Sequence, residues 1–357
     1  MMALPEARPG LGLREGYHSP QVDVEVRLNT NESPYPPPTA WVEALRDELS
    51  GIEFHRYPDR AATGLRDALA DLHGVRPDQV FAANGSNEVL QSLCLAYGGP
   101  GRSVALFEPT YALHRHIAHV TGTEVVEAGR RPDFSLDLDV VADVVAGARP
   151  AITFLCSPNN PTGMADAAGS VRSVLGIVGT SGGLMVVDEA YGQFADWSAM
   201  SLVDDDVPLV VTRTFSKTWS LAGIRLGYLI GPAAVVANLE RVALPYHLDA
   251  VTQAAGRLAL RHVGEMEARV GATVAERRRL LGRLGDLGVA TWPSQANFIL
   301  FRPPADRGRE VWQGMVDRSV LVRDTSSWPG LVGCLRVTVG TPEENDRFLA
   351  ALREVLT

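Results

Sequence analysis

The chain has 357 residues, of which 46% are hydrophobic and 21% are charged, and its formal net charge is −9. The composition is typical of a water-soluble globular protein, and the length indicates two domains. The acidic balance argues against a nucleic-acid surface or an anionic membrane as the main partner, which leaves small molecules or other proteins. The three cysteines are far apart, so they predict neither a disulfide framework nor a zinc site.

The N-terminal segment up to Pro38 is rich in proline and polar residues, which predicts an extended arm or loop rather than a packed element. Its opening, "MMALPEARPGLGLREGYHSP", has no apolar run as long as a signal peptide or a membrane span requires, so we expect a cytoplasmic location. A helix is predicted to begin near Thr39, which can cap the following "AWVEALRDELS".

From about Asp78, short apolar runs alternate with helical stretches, which is the pattern of a parallel sheet covered by helices. The predicted strands are "QVFAA", "SVALFE", "EVVEA", "AITFLC", "LMVVD", "LVVTRT" and "GYLIG". Helices such as "SNEVLQSLCLAY" and "TYALHRHIAHV" lie between them. We therefore expect a large α/β domain at residues 49–248.

After Asp249, a long helical region rich in Arg and Glu leads into the segments "ANFILFRP", "GREVWQGMVDRS", "VLVRD", "CLRVTVG" and "PEENDRFLAALREVL". These segments predict a smaller α+β domain at residues 249–357. Residues 1–48 are expected to form the N-terminal arm and part of this smaller domain.

Lys217 is the only lysine in the chain, and it comes shortly after the predicted strand "LVVTRT". A general bias toward arginine explains why lysine is scarce, but it does not explain this position. A lysine amine can lose its proton when it is desolvated and can then attack a carbonyl carbon, whereas a guanidinium stays charged. The apolar flanks of Lys217 argue against a fully solvated charge, so the residue is a candidate nucleophile.

Other polar residues also follow predicted strands, and in doubly wound sheets ligands bind beyond the carboxyl ends of the strands. Gly85, Ser86 and Asn87 begin a helix after "QVFAA", where free backbone N–H groups can bind a phosphate, although an ordinary capping turn explains them as well. Asp188 ends "LMVVD" and Asn160 lies in the stiff turn "SPNNPTG"; a helix cap and a plain turn are their simpler explanations.

Taken together, these groups match the needs of one kind of cofactor. A phosphate-carrying aldehyde with a pyridinium ring requires an amine for a Schiff base, an acid for the ring nitrogen, donors to the ring hydroxyl and a phosphate site. By contrast, "HRH" at residues 114–116 suggests a metal site only superficially, because positions i and i+2 of a helix do not share a face. We expect no metal.

The chain resembles the fold-type I pyridoxal-phosphate-dependent aminotransferases, and more closely their histidinol-phosphate aminotransferase branch. The resemblance runs from about Tyr17 to Val339 and is carried, in the family's order, by "RLNTNESPYPPP", "RYPD", "NGSNE", "PTY", "SPNNPTG", "DEAYGQF", "RTFSKTWSLAGIRLGY", "ANF", "VRD" and "LRVTVG". It implies an α/β fold with a mainly parallel seven-stranded sheet flanked by helices, plus a smaller α+β domain. It also implies pyridoxal 5'-phosphate as the cofactor and a homodimer with shared active sites.

By this resemblance, Lys217 would bond to the cofactor aldehyde and later carry the proton of the 1,3-shift, while Asp188 would keep the ring nitrogen protonated. Tyr191 would hydrogen-bond the ring oxygen together with Asn160, and Tyr111 would stack on the ring. The other implied cofactor contacts are Gly85, Ser86, Asn87, Thr214, Ser216, Arg225 and Tyr57. The branch commonly has aspartate at the position of Asn87, so only the side-chain contribution there is in doubt.

The resemblance also implies a set of substrate contacts. Histidinol phosphate carries a phosphate where an amino acid carries its α-carboxylate, and a planar guanidinium suits both anions. The implied substrate residues are Arg323, Arg336, Asn29, Asn160, Tyr17 of the N-terminal arm and Tyr57, which would reach into the partner subunit's site. From the sequence alone, surface pairing explains such arginines and plain packing explains such tyrosines equally well.

The leading hypothesis is an enzyme that converts L-histidinol phosphate and 2-oxoglutarate to imidazole-acetol phosphate and glutamate, a reaction of histidine biosynthesis. An aminotransferase for aromatic amino acids is one alternative, and a threonine-phosphate decarboxylase on the same fold is another. A cofactor-binding domain kept for regulation is a non-enzymatic alternative, which the full set of catalytic residues disfavours.

Overall fold

The computed structural model of the protein describes residues 4–5 and 21–357. Its strands are β1 (Val26–Leu28), β2 (Val80–Ala83), β3 (Ser103–Glu108), β4 (Glu124–Gly129), β5 (Ile152–Cys156), β6 (Leu184–Asp188), β7 (Leu209–Thr214), β8 (Gly227–Ile230), β9 (Ala290–Thr291), β10 (Phe298–Arg302), β11 (Val320–Asp324) and β12 (Leu335–Thr338). Its α-helices are α1 (Thr39–Leu49), α2 (Thr63–His73), α3 (Ser86–Tyr97), α4 (Ala112–Val120), α5 (Leu138–Ala148), α6 (Ala168–Ser181), α7 (Ala233–Val242), α8 (Ala250–Ala259), α9 (Val263–Asp286), α10 (Gly308–Val316) and α11 (Pro342–Leu356).

The seven strands predicted between residues 78 and 231 form one sheet in the order β2-β8-β7-β6-β5-β3-β4. The sheet is mainly parallel, because only β8 runs against its two neighbours, β2 and β7. Strands β5, β6 and β7 are buried at every position, since helices cover both faces, and this is why each begins with a run of at least three apolar or uncharged residues. The predicted α/β fold is confirmed.

A second sheet has the order β1-β11-β12-β10-β9 and packs its apolar side chains against α9, α10 and α11. Its edge strand β1 comes from the N-terminal segment and pairs in parallel with β11, with Val26 opposite Val320. The expectation of an unpacked arm up to Pro38 is therefore wrong for residues 26–28. Three residues are too few to show an alternating pattern that the sequence could reveal. The boundaries of the domains remain a prediction.

Two local details position the site. Helix α1 begins at Thr39 itself, with Pro38 in the capping position, so the expected Thr39 cap is not formed. Helix α3 begins directly after β2 and is preceded by Gly85, whose φ of 81° lies in the left-handed region that glycine tolerates.

Within residues 4–5 and 21–357, no helix has both the length and the apolar character needed to cross a membrane.

Candidate active site

A cavity of about 350 Å³ lies at the carboxyl ends of β5, β6 and β7. Its wall contains a large part of the residues that the sequence singles out, namely Ser86, Asn87, Tyr111, Asn160, Asp188, Tyr191, Thr214, Ser216, Lys217, Arg225 and Arg336. They come from many separate segments, and the ends of the parallel strands bring them together.

Lys217 follows β7 and extends its amine into this cavity. The amine Nζ donates a hydrogen bond to the backbone oxygen of Thr30 at 3.0 Å. The pKa of the amine is lowered to about 8, chiefly by burial and also by the cations Arg336 and Arg225, against the opposing effect of Glu32. About a fifth of the Lys217 amines are therefore neutral near pH 7.4, far more than for an ordinary lysine, and the neutral form is the one that acts as a nucleophile or proton acceptor.

Asp188 ends β6 and is only 1% exposed. Its Oδ2 lies 3.0 Å from Nε2 of His114, and its Oδ1 accepts hydrogen bonds from the backbone N–H of Ala190 at 3.1 Å and the hydroxyl of Thr212 at 3.3 Å. These contacts hold the carboxylate in one orientation at the cavity wall. A buried, fixed carboxylate of this kind suits a protonated ring nitrogen as its partner.

His114 is a residue that sequence reasoning missed, because it was weighed only as a metal ligand. It is fully buried on α4, where its ring stacks on Phe154 at 4.6 Å while Nε2 faces Asp188. One clue was available, since Tyr111 and His114 are three positions apart in the predicted helix "TYALHRHIAHV", a spacing that brings side chains together.

One end of the cavity is built to hold an anion. The N-terminus of α3 presents backbone N–H groups at Ser86 and Asn87, and free N–H groups at a helix start favour phosphate. Thr214 Oγ1 donates to Ser216 Oγ at 3.1 Å, and Arg225 Nη1 donates to the same Ser216 oxygen at 3.3 Å.

Gly85 does not line the cavity, but its lack of a side chain leaves room for the guanidinium of Arg225 beside the start of α3. A Cβ atom at Gly85 would lie 2.8 Å from Nη2 of Arg225, so a larger residue would push the guanidinium away. Two hydroxyl groups, a cation and a helix N-terminus therefore meet at one point, which fits a cofactor phosphate.

The cavity wall also carries neutral hydrogen-bonding groups. Tyr191 Oη accepts a hydrogen bond from Nδ2 of Asn31 at 3.0 Å, and Asn160 is 3% exposed beside Arg336. Tyr111 Oη donates to Oδ1 of Asn87 at 3.3 Å, so the asparagine that replaces the branch's usual aspartate has a partner of its own. These groups can bind the oxygen substituent of an aromatic ring and flank its face.

Arg336 on β12 is 2% exposed and points at the cavity from the second sheet. Its Nη1 donates to Oδ1 of Asn160 at 2.5 Å, and its Nη2 donates to the backbone oxygen of Asn29 at 2.9 Å. A guanidinium held on two sides in this way is fixed in direction, which suits the recognition of a carboxylate or a phosphate.

The structure does not bring every expected residue to the cavity of its own chain. Asn29 contributes its backbone oxygen to Arg336 rather than a side chain to the wall. Arg323 is buried on β11 as the register partner of Arg336, and it does not line the cavity. Tyr57 is 80% exposed and stacks on Tyr246 with ring centroids 4.5 Å apart. Tyr17 lies outside the described residues, and all these roles remain predictions.

Other wall residues were not given a role by sequence reasoning. Thr30, Asn31 and Glu32 belong to the quoted motif "LNTNESP", in which only Asn29 was selected. Cys156 also lines the cavity, but burial raises the pKa of its thiol well above the usual range, so it stays protonated and unreactive.

The chain matches known proteins in both sequence and fold. A sequence model of the family described as aminotransferase class I and II matches residues 23–352. The histidinol-phosphate aminotransferase of Frankia casuarinae is 48% identical over 98% of this chain and 91% of its own length. That of Rhodococcus opacus is 46% identical, over 99% of this chain and 93% of its own.

Solved structures agree on the fold. The structure of histidinol-phosphate aminotransferase from Sinorhizobium meliloti in complex with pyridoxal-5'-phosphate superposes with a TM-score of 0.90 at 22% identity. The match covers 99% of this chain and 98% of that chain, so the two share their fold over nearly the whole length.

Proposed function

The chain belongs to the class I and II aminotransferases, and we propose that it transfers the amino group of L-histidinol phosphate to 2-oxoglutarate with pyridoxal 5'-phosphate as the cofactor. The observation that carries this proposal is the arrangement around one cavity: the sole lysine of the chain, a buried aspartate and an anion site. The relatives from Frankia and Rhodococcus, at 48% and 46% identity, support the choice of substrate.

The residues present fit the cofactor. The bound cofactor supplies an aldehyde and an electron-withdrawing ring. Ser216 and Arg225 would bind its phosphate at the start of α3, and Asp188 would hold the proton of its ring nitrogen. Lys217 Nζ offers a neutral amine, and once it is free it can take a proton from one carbon and return it to another.

Arg336 is the residue we assign to the anionic end of the substrates. Its guanidinium can pair with the phosphate of histidinol phosphate or with the α-carboxylate of glutamate, because both present two oxygens in one plane. Asn160 and the backbone oxygen of Asn29 keep the guanidinium directed at the cavity, so the same group can serve both halves of the reaction.

The experiment that tests this function supplies the purified, cofactor-loaded protein with histidinol phosphate and 2-oxoglutarate. We expect equal amounts of glutamate and imidazole-acetol phosphate. Faster turnover of phenylalanine would favour an aromatic aminotransferase instead. Release of CO₂ from threonine phosphate, without glutamate, would favour the decarboxylase, and either result would overturn the proposed substrate.

We further propose that the enzyme is a cytoplasmic homodimer whose subunits share active sites. The support is an apolar patch: Tyr57 and Tyr246, which are 80% and 41% exposed, stack on each other, and Leu244, two residues before Tyr246, is 76% exposed and lines a cavity of about 310 Å³. Large exposed apolar side chains that cluster in this way mark a protein interface. A second copy would cover the patch and receive the Tyr57 side chain.

Subunit mixing tests this arrangement. Lys217→Ala and Tyr57→Ala homodimers should both be impaired, whereas a mixed dimer holds one site with an intact lysine and an intact tyrosine. We therefore expect activity to return when the two variants are unfolded and refolded together. No recovery in verified mixed dimers would contradict the sharing of Tyr57.

A further inference from the structure

Residues 29–32 follow β1 and lie at the cavity. Three side chains with a proposed role, Arg336, Lys217 and Tyr191, form hydrogen bonds with this short segment. Arg336 donates to the backbone oxygen of Asn29, and Lys217 donates to that of Thr30. Asn31 donates from its side chain to Tyr191 Oη. Asn31 is 1% exposed, so its polar atoms depend on protein partners rather than on bulk water.

The hydrogen bonds around Asn31 determine which way its side-chain amide faces. Thr338 Oγ1 accepts the backbone N–H of Asn31 at 3.0 Å. Its own proton is therefore available for Oδ1 of Asn31, which lies 3.1 Å away. With the amide reversed, Thr338 Oγ1 would accept two hydrogen bonds, and its own buried proton would have no acceptor among the contacts of the described residues. The orientation with Oδ1 at Thr338 satisfies both groups. That orientation places the amide nitrogen of Asn31 against Tyr191.

The direction of the bond to Tyr191 follows from this orientation. An amide nitrogen has protons to donate and no lone pair to offer, so Tyr191 Oη must be the acceptor in the 3.0 Å contact with Asn31. The phenol proton cannot then point at Asn31. Tyr191 lines the cavity, and the cavity is where an oxygen of the bound ring would accept that proton.

We propose that Asn31 is a positioning residue that, with Thr338, directs the hydroxyl proton of Tyr191 into the cavity toward the ring oxygen of the cofactor. The inference rests on the proposed cofactor, not on the identity of the amino donor. Asn31 thereby acts through Tyr191 on the negative charge of the ring oxygen, because a donor at that oxygen stabilises the charge.

One substitution, Asn31→Asp, would reverse the direction of the hydrogen bond to Tyr191 without changing the shape of the side chain at residue 31. Asn31 has a φ of 57°, in the left-handed region that asparagine and aspartate tolerate better than other side chains. Asn31→Asp keeps the size and the backbone but replaces the donor with an acceptor. Tyr191 would then donate to residue 31, and the ring oxygen would lose its donor.

The test is a pH titration of the visible absorption band of the cofactor-loaded protein, which reports protonation of the link between lysine and cofactor. Loss of the donor leaves more charge on the ring oxygen, which favours the protonated link. We expect Asn31→Asp to raise the midpoint by about one pH unit or more, and Tyr191→Phe to raise it as well. The charges of Glu32, Arg225 and Arg336, which also surround the amine, are the same in every variant.

A double-mutant cycle separates action through Tyr191 from the added charge of aspartate. If Asn31 acts through the phenol, Asn31→Asp should shift the midpoint much less in a Tyr191→Phe background than in the wild type. Equal shifts in both backgrounds would overturn the proposal. A wild-type protein without a visible band would instead refute the cofactor assignment, so the two failures are distinguishable.

Thr338 provides a second pair of variants that adds no charge. Thr338→Val removes the hydroxyl that orients the amide while keeping the side-chain volume, and Thr338→Ser keeps the hydroxyl. We expect the valine variant to raise the midpoint and the serine variant to match the wild type. Identical midpoints for the two variants would count against an orienting role for the hydroxyl.

Discussion

The reactivity of Lys217 in the cofactor-free protein can be predicted quantitatively. An ordinary lysine, with a pKa near 10.5, is only about 0.3% neutral at pH 8. Burial and the nearby arginines bring the pKa of Lys217 to about 8, at which half of the amines are neutral. The neutral fraction at pH 8 is therefore about 150-fold larger than that of an ordinary lysine. An amine-selective reagent should label Lys217 faster than an ordinary lysine of equal accessibility at this pH, and the labelling rate should reach half its maximum near pH 8.

The assay measures the rate of modification against pH and locates the product by mass spectrometry, which separates Lys217 from the terminal amine. Two charge changes should move the midpoint in opposite directions. Arg336→Gln should raise it, because a cation that opposes the ammonium is lost, and Glu32→Gln should lower it, because a stabilising anion is lost. The exposed Arg347, which pairs with Glu25, provides the matched control Arg347→Gln.

A midpoint near 10.5 in the wild type would refute the reasoning, because it would mean that the amine stays solvated. Shifts of the same sign in Arg336→Gln and Glu32→Gln would also refute it, since they would show that the pocket responds by general rearrangement rather than by charge.

Three further substitutions have expected outcomes. His114→Phe keeps a ring but removes the bond to Asp188, worth about 1.5–3 kcal/mol, so cofactor binding should weaken about 10- to 100-fold by equilibrium titration. Gly227→Ala would drive a Cβ atom into the backbone at the start of α3, so the affinity for inorganic phosphate and for the cofactor should both fall. Glu189→Ala would leave the buried Arg213, now 2.9 Å from Glu189, without this partner, and the free energy of unfolding in urea should drop by about 3–5 kcal/mol.

The glycine and glutamate substitutions each have a control within the same chain. Gly176→Ala adds a Cβ atom that meets nothing within 4 Å, so it should leave phosphate binding unchanged. Glu354→Ala breaks an exposed ion pair with Arg318 and should cost at most about 1 kcal/mol. Similar losses in the test and control variants would mean that the named contacts do not carry the effect. Unchanged cofactor binding in His114→Phe would contradict the role given to the bond with Asp188.

The elements with strong local patterns could be predicted from the sequence. All seven strands of the large sheet were recognised because each contains a short apolar run between helical stretches, and their ends marked the cavity because parallel strands share an edge. Helix α11 was predicted from residue 342 to 356, where "TPEE" forms a capping box that Thr341 and Glu344 complete in the structure.

Contacts between distant parts of the chain could not be predicted in this way. The bond from His114 to Asp188 spans 74 positions, and the bond from Asn31 to Thr338 spans 307. In neither pair does the local sequence around one residue indicate its partner. The three residues of β1 likewise gain their structure from pairing with β11, and the exposed Tyr57 acquires its proposed role only through a second copy.

The central claim is that Lys217 is the amine that holds pyridoxal 5'-phosphate. The most direct measurement is reduction of the cofactor-loaded protein with borohydride, followed by digestion and mass spectrometry. We expect one cofactor-modified lysine peptide, at Lys217, because the chain has no other lysine. A wild-type protein that binds the cofactor but yields no modified Lys217 peptide would contradict it.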